Sequence, residues 1–380
     1  MRVYFDNAAT TNIDERVVEA MIPYLKEMFG NPSSIHSYGR ETRTAIENAR
    51  KIIAEVLKVS PSEIFFTSGG TEANNHALNC SVRDLGVTTI ISSKIEHHCI
   101  GYTMEALEKY QGVTLKYVNL LDKGIIDYDH LEELLKETEG KYLVSLMHAN
   151  NEIGNLLNLK KVSALCEEHG AYFHTDTVQT IGHYYFDLQK TKIHFISGSA
   201  HKFHGPKGTG FLYINPEIKI GPFIYGGTQE RNMRAGTENI YGIVGLGKAV
   251  ELSYTDLTKE QEYVQGLKTR MIEKLKSEIT GVGFNGDYDG KSNFRVLNVS
   301  LPKHKASEMF LMNLDIAGIA CSAGSACTSG ADAGSHVLEY IGADMKRPAI
   351  RFSFSRFNTS EEIDFVVDKL KELYVGEMVA

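Results

Sequence analysis

Short apolar runs alternate with amphipathic stretches through the first half of this 380-residue chain, and that alternation restricts its fold more than any other feature. The runs lie at residues 64–67, 88–92, 114–118, 142–147, 171–174 and 194–197. Each is brief, continuous and rich in β-branched or aromatic side chains, as strands buried on both faces are. Helical patterns fall at 40–57, 71–83, 102–110, 128–137 and 160–169. Strand–helix repetition predicts an α/β fold, a mainly parallel sheet with helices packed on both sides.

After about Val250 the texture changes. A long polar helical pattern at 257–279 leads to a strand at 296–301, a helix at 305–317, a strand at 349–354 and a closing helix at 360–373. This predicts a smaller α+β unit, with the first dozen residues packed against it. The expected division is a large domain of residues 14–256 and a small domain of residues 1–13 and 257–380. No internal repeat or low-complexity tail interrupts the pattern.

Composition narrows the partners. A hydrophobic fraction of 42% and a charged fraction of 23% are those of a soluble globular protein. A formal charge of -8, with Lys and Arg scattered, gives no basic stripe for nucleic acid. No apolar run reaches the length of a membrane span, and the N-terminus lacks the apolar core of a signal peptide. Five cysteines without paired spacing argue for a reducing compartment rather than a disulfide framework. The expected location is cytoplasmic.

Four segments carry chemistry. The strand ending in Thr67-Ser68-Gly69-Gly70-Thr71-Glu72 runs into a helix, where small residues and free N–H groups suit an anion. Such turns also occur without ligands. Asp176 follows a strand, where open α/β sheets bind ligands; it reads either as a turn residue or as a carboxylate that keeps a pyridine nitrogen protonated. Lys202, in Ser199-Ala200-His201-Lys202-Phe203-His204-Gly205-Pro206, sits in a glycine-bounded loop after another strand, as an amine held for Schiff-base formation would. Cys327 lies in Gly324-Ser325-Ala326-Cys327-Thr328-Ser329-Gly330, a run almost without bulk that suits a thiol moving between a buried substrate and an outside partner.

Asp176 and Lys202 on consecutive strand ends, with the Gly69-Gly70-Thr71 cup upstream, are the pattern of fold-type I pyridoxal-phosphate enzymes. With the Cys327 loop, the chain resembles the cysteine desulfurases of the NifS/IscS branch of the class V aminotransferase family. The resemblance spans essentially the whole chain. It includes Asp6-Asn7-Ala8-Ala9-Thr10-Thr11, Gly30-Asn31-Pro32-Ser33-Ser34, Asn150-Asn151-Glu152, Arg234-Ala235-Gly236-Thr237 and Ile350-Arg351-Phe352-Ser353.

The resemblance implies a seven-stranded large domain and a homodimer with shared active sites. It implies pyridoxal 5'-phosphate bound as an internal aldimine on Lys202, with Asp176 on the ring nitrogen and His97 stacked on the ring as a catalytic group able to carry a proton alongside Lys202. Gln179 and Asn151 would lie by the ring hydroxyl. Gly70, Thr71, Ser199 and His201 would hold the phosphate, and Thr237 would reach it from the other subunit. Arg351, with Asn151 beside it, would grip the carboxylate of L-cysteine. Cys327 would take the sulfur as a persulfide, releasing alanine, and pass it to an acceptor such as an iron-sulfur scaffold, with which it would transiently share a cluster.

Other assignments stay open from residues alone. His98 and Cys99, next to His97, suggest a metal site only superficially, since no paired spacing accompanies them. Cys80 and Cys166 fit buried helix positions; Cys321 fits packing or a redox partnership with Cys327. His204 stands where relatives carry an aromatic residue. Two rival functions remain: another pyridoxal-phosphate reaction that does not need Cys327, and a non-catalytic platform for sulfur or iron.

Overall fold

A computed structural model describes residues 1–304, 309–323 and 334–375. The chain opens on β1 (Val3–Tyr4), α1 (Glu15–Lys26) and α2 (Ser37–Leu57). Four strand–helix pairs follow: β2 (Ile64–Thr67) with α3 (Gly70–Leu85), β3 (Thr89–Ser92) with α4 (His98–Gln111), β4 (Thr114–Tyr117) with α5 (Tyr128–Glu137), and β5 (Tyr142–Ser145) with α6 (Leu159–His169). Strands β6 (Tyr172–Asp176), β7 (Phe195–Ser199) and β8 (Gly210–Ile214) then lead to α7 (Ile240–Thr255).

These strands form one seven-stranded sheet in the order β2-β8-β7-β6-β5-β3-β4. All its pairings are parallel except those of β8, which runs antiparallel to β2 and β7. Alternate residues feed opposite faces. Phe65, Ile90, Leu143, Phe195 and Leu212 pack with Ala77 and Leu78 of α3 and Met104 of α4. Their neighbours Phe66, Ile91, Val144, Ile196 and Phe211 pack on the other side with Ile46 and Ile53 of α2, Leu131 of α5 and Leu246 of α7. Burial on both faces explains the unbroken apolar runs. Each large side chain there contributes about 1.5–3 kcal/mol.

Beyond α7 come α8 (Leu257–Glu278), β9 (Gly283–Asn285), β10 (Val296–Ser300), α9 (Phe310–Ile316), β11 (Ile319–Ala320), α10 (His336–Tyr340), β12 (Ala349–Ser353) and α11 (Ser360–Val375). Strands β12, β10 and β9 make an antiparallel sheet. Ile363, Val366, Val367 and Leu370 line one face of α11 at helical spacing and cover it together with Val264, Met271 and Leu275 of α8. The N-terminus joins this core: Val3 pairs with Ile319, Phe5 packs edge-on against Phe354 with ring centroids 5.2 Å apart, and Asp6 bridges to Ser353.

One sequence expectation needs correction and one is tested only in part. Of the helix expected at 305–317, the described residues show Phe310–Ile316, and residues 305–308 lie outside them. The helix expected at 102–110 starts four residues earlier, since His97 caps it by accepting the Cys99 N–H. Among the described residues no helix is long and apolar enough to cross a membrane.

Candidate active site

The C-terminal ends of β6 and β7 and the start of α3 open onto a cavity of about 210 Å³. After β7 the chain makes a tight turn over Ala200–Lys202 and folds back so that Gly205 N–H meets Ala200 O at 2.9 Å. A Cβ on Gly205 would lie 2.8 Å from Ala200 Cβ, so the return requires glycine. The turn delivers Lys202 to the cavity, where Nζ donates to Ala8 O at 2.7 Å and Ala9 O at 2.8 Å. Gln179 Nε2 shares the Ala8 carbonyl at 2.9 Å. His204 takes φ 66 in the same turn; its ring meets Asn12 O and stands edge-on to Phe357.

Asp176 ends β6 and accepts at both oxygens. Val178 N–H reaches Oδ1 at 2.9 Å, as the turn reading has it, and Asn74 Nδ2 reaches Oδ2 at 2.7 Å. His97 stands opposite at the N-terminus of α4. Burial holds its imidazole below the ordinary value, Lys202, His98 and His336 add to this, and Asp176 opposes them. Cys99 Sγ sits 3.0 Å from His97 Nδ1, and burial pushes this thiol up to about 12.

Helix α3 begins at Gly70 without a side-chain cap, leaving its first N–H groups unclaimed by capping side chains. Gly69 takes φ +155, and a Cβ on Gly70 would meet Val178 Cγ2 at 2.5 Å, so both glycines bring backbone close to the cavity. Thr71, Ser199 and His201 line the same end. Burial, with Lys202 and Lys207 nearby, lowers His201 to about 4, and its Nδ1 meets Thr10 Oγ1 at 3.0 Å.

Arg351 enters from β12 and is 1% exposed. Its Nη1 donates to Asn151 O at 3.0 Å and its Nη2 to Asp6 Oδ1 at 2.7 Å, while Nε has no partner among the described residues. Ser322 Oγ also donates to Asp6 Oδ1, at 2.8 Å.

Gly70, Thr71, His97, Asn151, Asp176, Gln179, Ser199, His201, Lys202 and Arg351 therefore line one cavity. Thr237 does not; it is exposed in the segment before α7. Cys327 lies outside the described residues. Cys80 and Cys166 are buried, and Cys321 packs at the edge of the small sheet's core. His98 stacks on Tyr102 and meets the His336 ring at a tilt, centroids 4.4 Å apart, and no cluster of three metal-ligating side chains occurs among the described residues. Sequence reasoning passed over Asn74 and assigned Cys99 no place in the site. Asn74 occupies the core face of α3 one turn after Gly70, and a polar side chain at that position was the available signal.

The family model for class-V aminotransferases matches residues 3–366. The chain belongs to the class-V aminotransferase family. It is 43% identical to cysteine desulfurase IscS of Dictyoglomus turgidum, over 98% of this chain and 94% of that protein. It is 42% identical to putative cysteine desulfurase IscS 1 of Bacillus subtilis, over 98% and 99%. A solved NifS-like protein superposes with a TM-score of 0.91 at 37% identity, over 99% of this chain and 100% of that one. For a class-V aminotransferase chain, coverage this complete puts the cavity and the sheet supplying Arg351 within one shared architecture.

Proposed function

We propose that this protein is a pyridoxal-phosphate-dependent cysteine desulfurase that converts L-cysteine to L-alanine and leaves the sulfur as a persulfide on Cys327. The observation that carries this reading is the convergence of the Lys202 amine, the Asp176 carboxylate, the His97 imidazole and the uncapped start of α3 in one cavity. The relatives named as cysteine desulfurases support the substrate.

The cavity fits the cofactor on its own terms. The bare helix start and the approach of Gly70 make a cradle for a phosphate, held further by Thr71, Ser199 and His201. Asp176 would pair with the ring nitrogen, His97 would cover the ring face, and Gln179 and Asn151 would lie by its hydroxyl. Lys202 would attach it covalently, and Thr237 of a second copy would complete the phosphate site in a homodimer. When bound, the cofactor supplies an electron sink for the amino acid's α carbon.

The chain's own residues do the rest. Arg351 has a buried Nε without a partner among the described residues, a donor suited to the substrate carboxylate. Lys202, with His97 beside it as the second catalytic group, would move the α proton. Cys327, as thiolate, attacks the substrate sulfur: an S–S bond forms, the substrate's Cβ–S bond breaks, and the hydrogen formally lost by Cys327 ends on Cβ. The change is redox-neutral, L-cysteine and a thiol giving L-alanine and a persulfide. An acceptor protein in the cytoplasm, such as an iron-sulfur scaffold, would then take the sulfur.

Alanine release from L-cysteine tests the reading. Wild type is expected to release alanine, while Cys327→Ser keeps the cofactor's absorbance and loses turnover. Full turnover in Cys327→Ser would remove that thiol from the reaction.

A further inference from the structure

Along the cavity wall a set of buried and part-buried hydrogen bonds runs from Ser145 on β5 to His97, the cap of α4. Ser145 Oγ lies 2.9 Å from His174 Nδ1, and His174 Nε2 lies 3.1 Å from Asn74 Oδ1. Asn74 Nδ2 reaches Asp176 Oδ2 at 2.7 Å and Cys99 Sγ at 3.3 Å. Cys99 Sγ in turn lies 3.0 Å from His97 Nδ1, which also receives the Cys99 backbone N–H at 3.2 Å.

We propose that His174, Asn74 and Cys99 are positioning residues which form a one-way donor chain and hold neutral His97 as the tautomer protonated at Nε2. The inference deepens the desulfurase reading by assigning His97 its direction of proton donation.

The direction follows from which atoms can donate. Asp176 accepts at both oxygens, so Asn74 turns its amine toward it and its Oδ1 toward His174. An amide oxygen only accepts, so His174 Nε2 carries a proton. His174 is fully buried, and burial lowers it to about 4, so it is neutral and its Nδ1 accepts from the Ser145 hydroxyl. On the other arm the second Asn74 hydrogen points to Cys99 sulfur, which thus accepts from Asn74. The thiol keeps its own hydrogen and gives it to His97 Nδ1. With the Cys99 N–H and S–H both directed at Nδ1, the remaining ring proton sits on Nε2.

The charged and titratable groups that face His97 are Asp176 from β6, Lys202 after β7, His98 on α4 and His336 on α10. Among the described residues none of these four adds a further contact to Nδ1 beyond those of Cys99. In this tautomer His97 presents a donor at Nε2, which leaves Lys202 as the proton acceptor.

The test is the ring nitrogen spectrum of His97 in holoenzyme labelled with ¹⁵N-histidine, its signals assigned by their loss in His97→Gln. Wild type is expected to show the Nε2–H tautomer as the major form, with Nδ1–H a minor share. Cys99→Ala removes the thiol donor and should raise the share of the Nδ1–H tautomer about three- to tenfold, the effect of one hydrogen bond. It should also move the His97 titration to higher pH. Cys99→Ser supplies a hydroxyl donor and should restore the wild-type pattern. A purely structural role for Cys99 would change the melting temperature of Cys99→Ala and leave the tautomer ratio alone. The proposal is overturned by Nδ1–H as the major tautomer in wild type, by an unchanged ratio in Cys99→Ala, or by Cys99→Ser behaving like Cys99→Ala. The wild-type spectrum decides even if Cys99→Ala does not fold. The readout needs no turnover, so failure of the desulfurase reading would leave it standing, and the reverse holds too.

Discussion

Glu96 is 4% exposed, one residue before His97. Its Oε1 accepts the Met147 N–H at 2.8 Å, and its Oε2 has no partner among the described residues. Burial pushes its carboxyl well above the ordinary value, and Asp176 nearby adds to the shift. The folded protein then holds a proton that the unfolded chain releases. The bound-proton difference makes stability fall as pH rises above the ordinary glutamate range. Glu96→Gln keeps the acceptor for Met147 N–H and removes the titration. Urea midpoints measured from about pH 5 to about pH 8 should fall less steeply in Glu96→Gln than in wild type. Parallel profiles would show that Glu96 is ionised in the fold. Neither the burial of Glu96 nor the joining of Asn74 to Asp176 and Cys99 could be read from the chain, because each depends on which strands lie side by side. Lys202, Asp176 and the Gly69-Gly70 turn were legible because local sequence already places each at a strand end.

At the scale of elements, a buried ion pair ties the segment before α7 to the large sheet. Arg50 on α2 meets Glu230 at 2.7 Å, both side chains 2% exposed, and Glu230 Oε2 also accepts the Phe66 N–H at 2.7 Å. Glu230 holds φ 45, at the start of a run of three residues in the left-handed region. Glu230→Ala leaves the guanidinium buried without its carboxylate and should lower the unfolding free energy by about 3–5 kcal/mol in urea titration. A loss below about 1 kcal/mol would mean that water reaches the pair. The run of positive φ values had no signature in Gln229-Glu230-Arg231-Asn232, which lacks glycine. Other elements also escaped the reading, α7 and β8 among them. Helix α7 contains Gly242, Gly245 and Gly247, residues that disfavour helices. They serve close packing, since a Cβ on Gly247 would fall 2.7 Å from Ala49 Cβ of α2. Strand β8 follows the Lys202 loop by only a few residues, and its antiparallel course breaks the strand–helix rhythm that revealed the others.

At the scale of the molecule, the cavity is assembled from sequence-distant parts. Lys202 and Asp176 come from the seven-stranded sheet, Ala8 and Ala9 from the N-terminal segment, and Arg351 from the small sheet. Asp6 holds Arg351 there and Ser322 holds Asp6, so the donor proposed for a substrate carboxylate is in place only when the small sheet, the N-terminus and the large sheet are packed together. The α/β architecture and the change of texture after Val250 were legible in hydrophobic periodicity, a local property. The meeting of Asp6, Asn151 and Arg351 was not, since it is produced by packing between residues some 200–345 positions apart.

The central claim is that sulfur leaves L-cysteine in the Lys202 cavity and arrives on Cys327. The most direct measurement is mass spectrometry of the peptide containing Cys327, after the holoenzyme has been incubated with L-cysteine and no reductant. The expected result is a gain of one sulfur atom on Cys327, absent from Lys202→Ala treated in the same way. Alanine formed with no added sulfur on Cys327, or the same gain in Lys202→Ala, would contradict it.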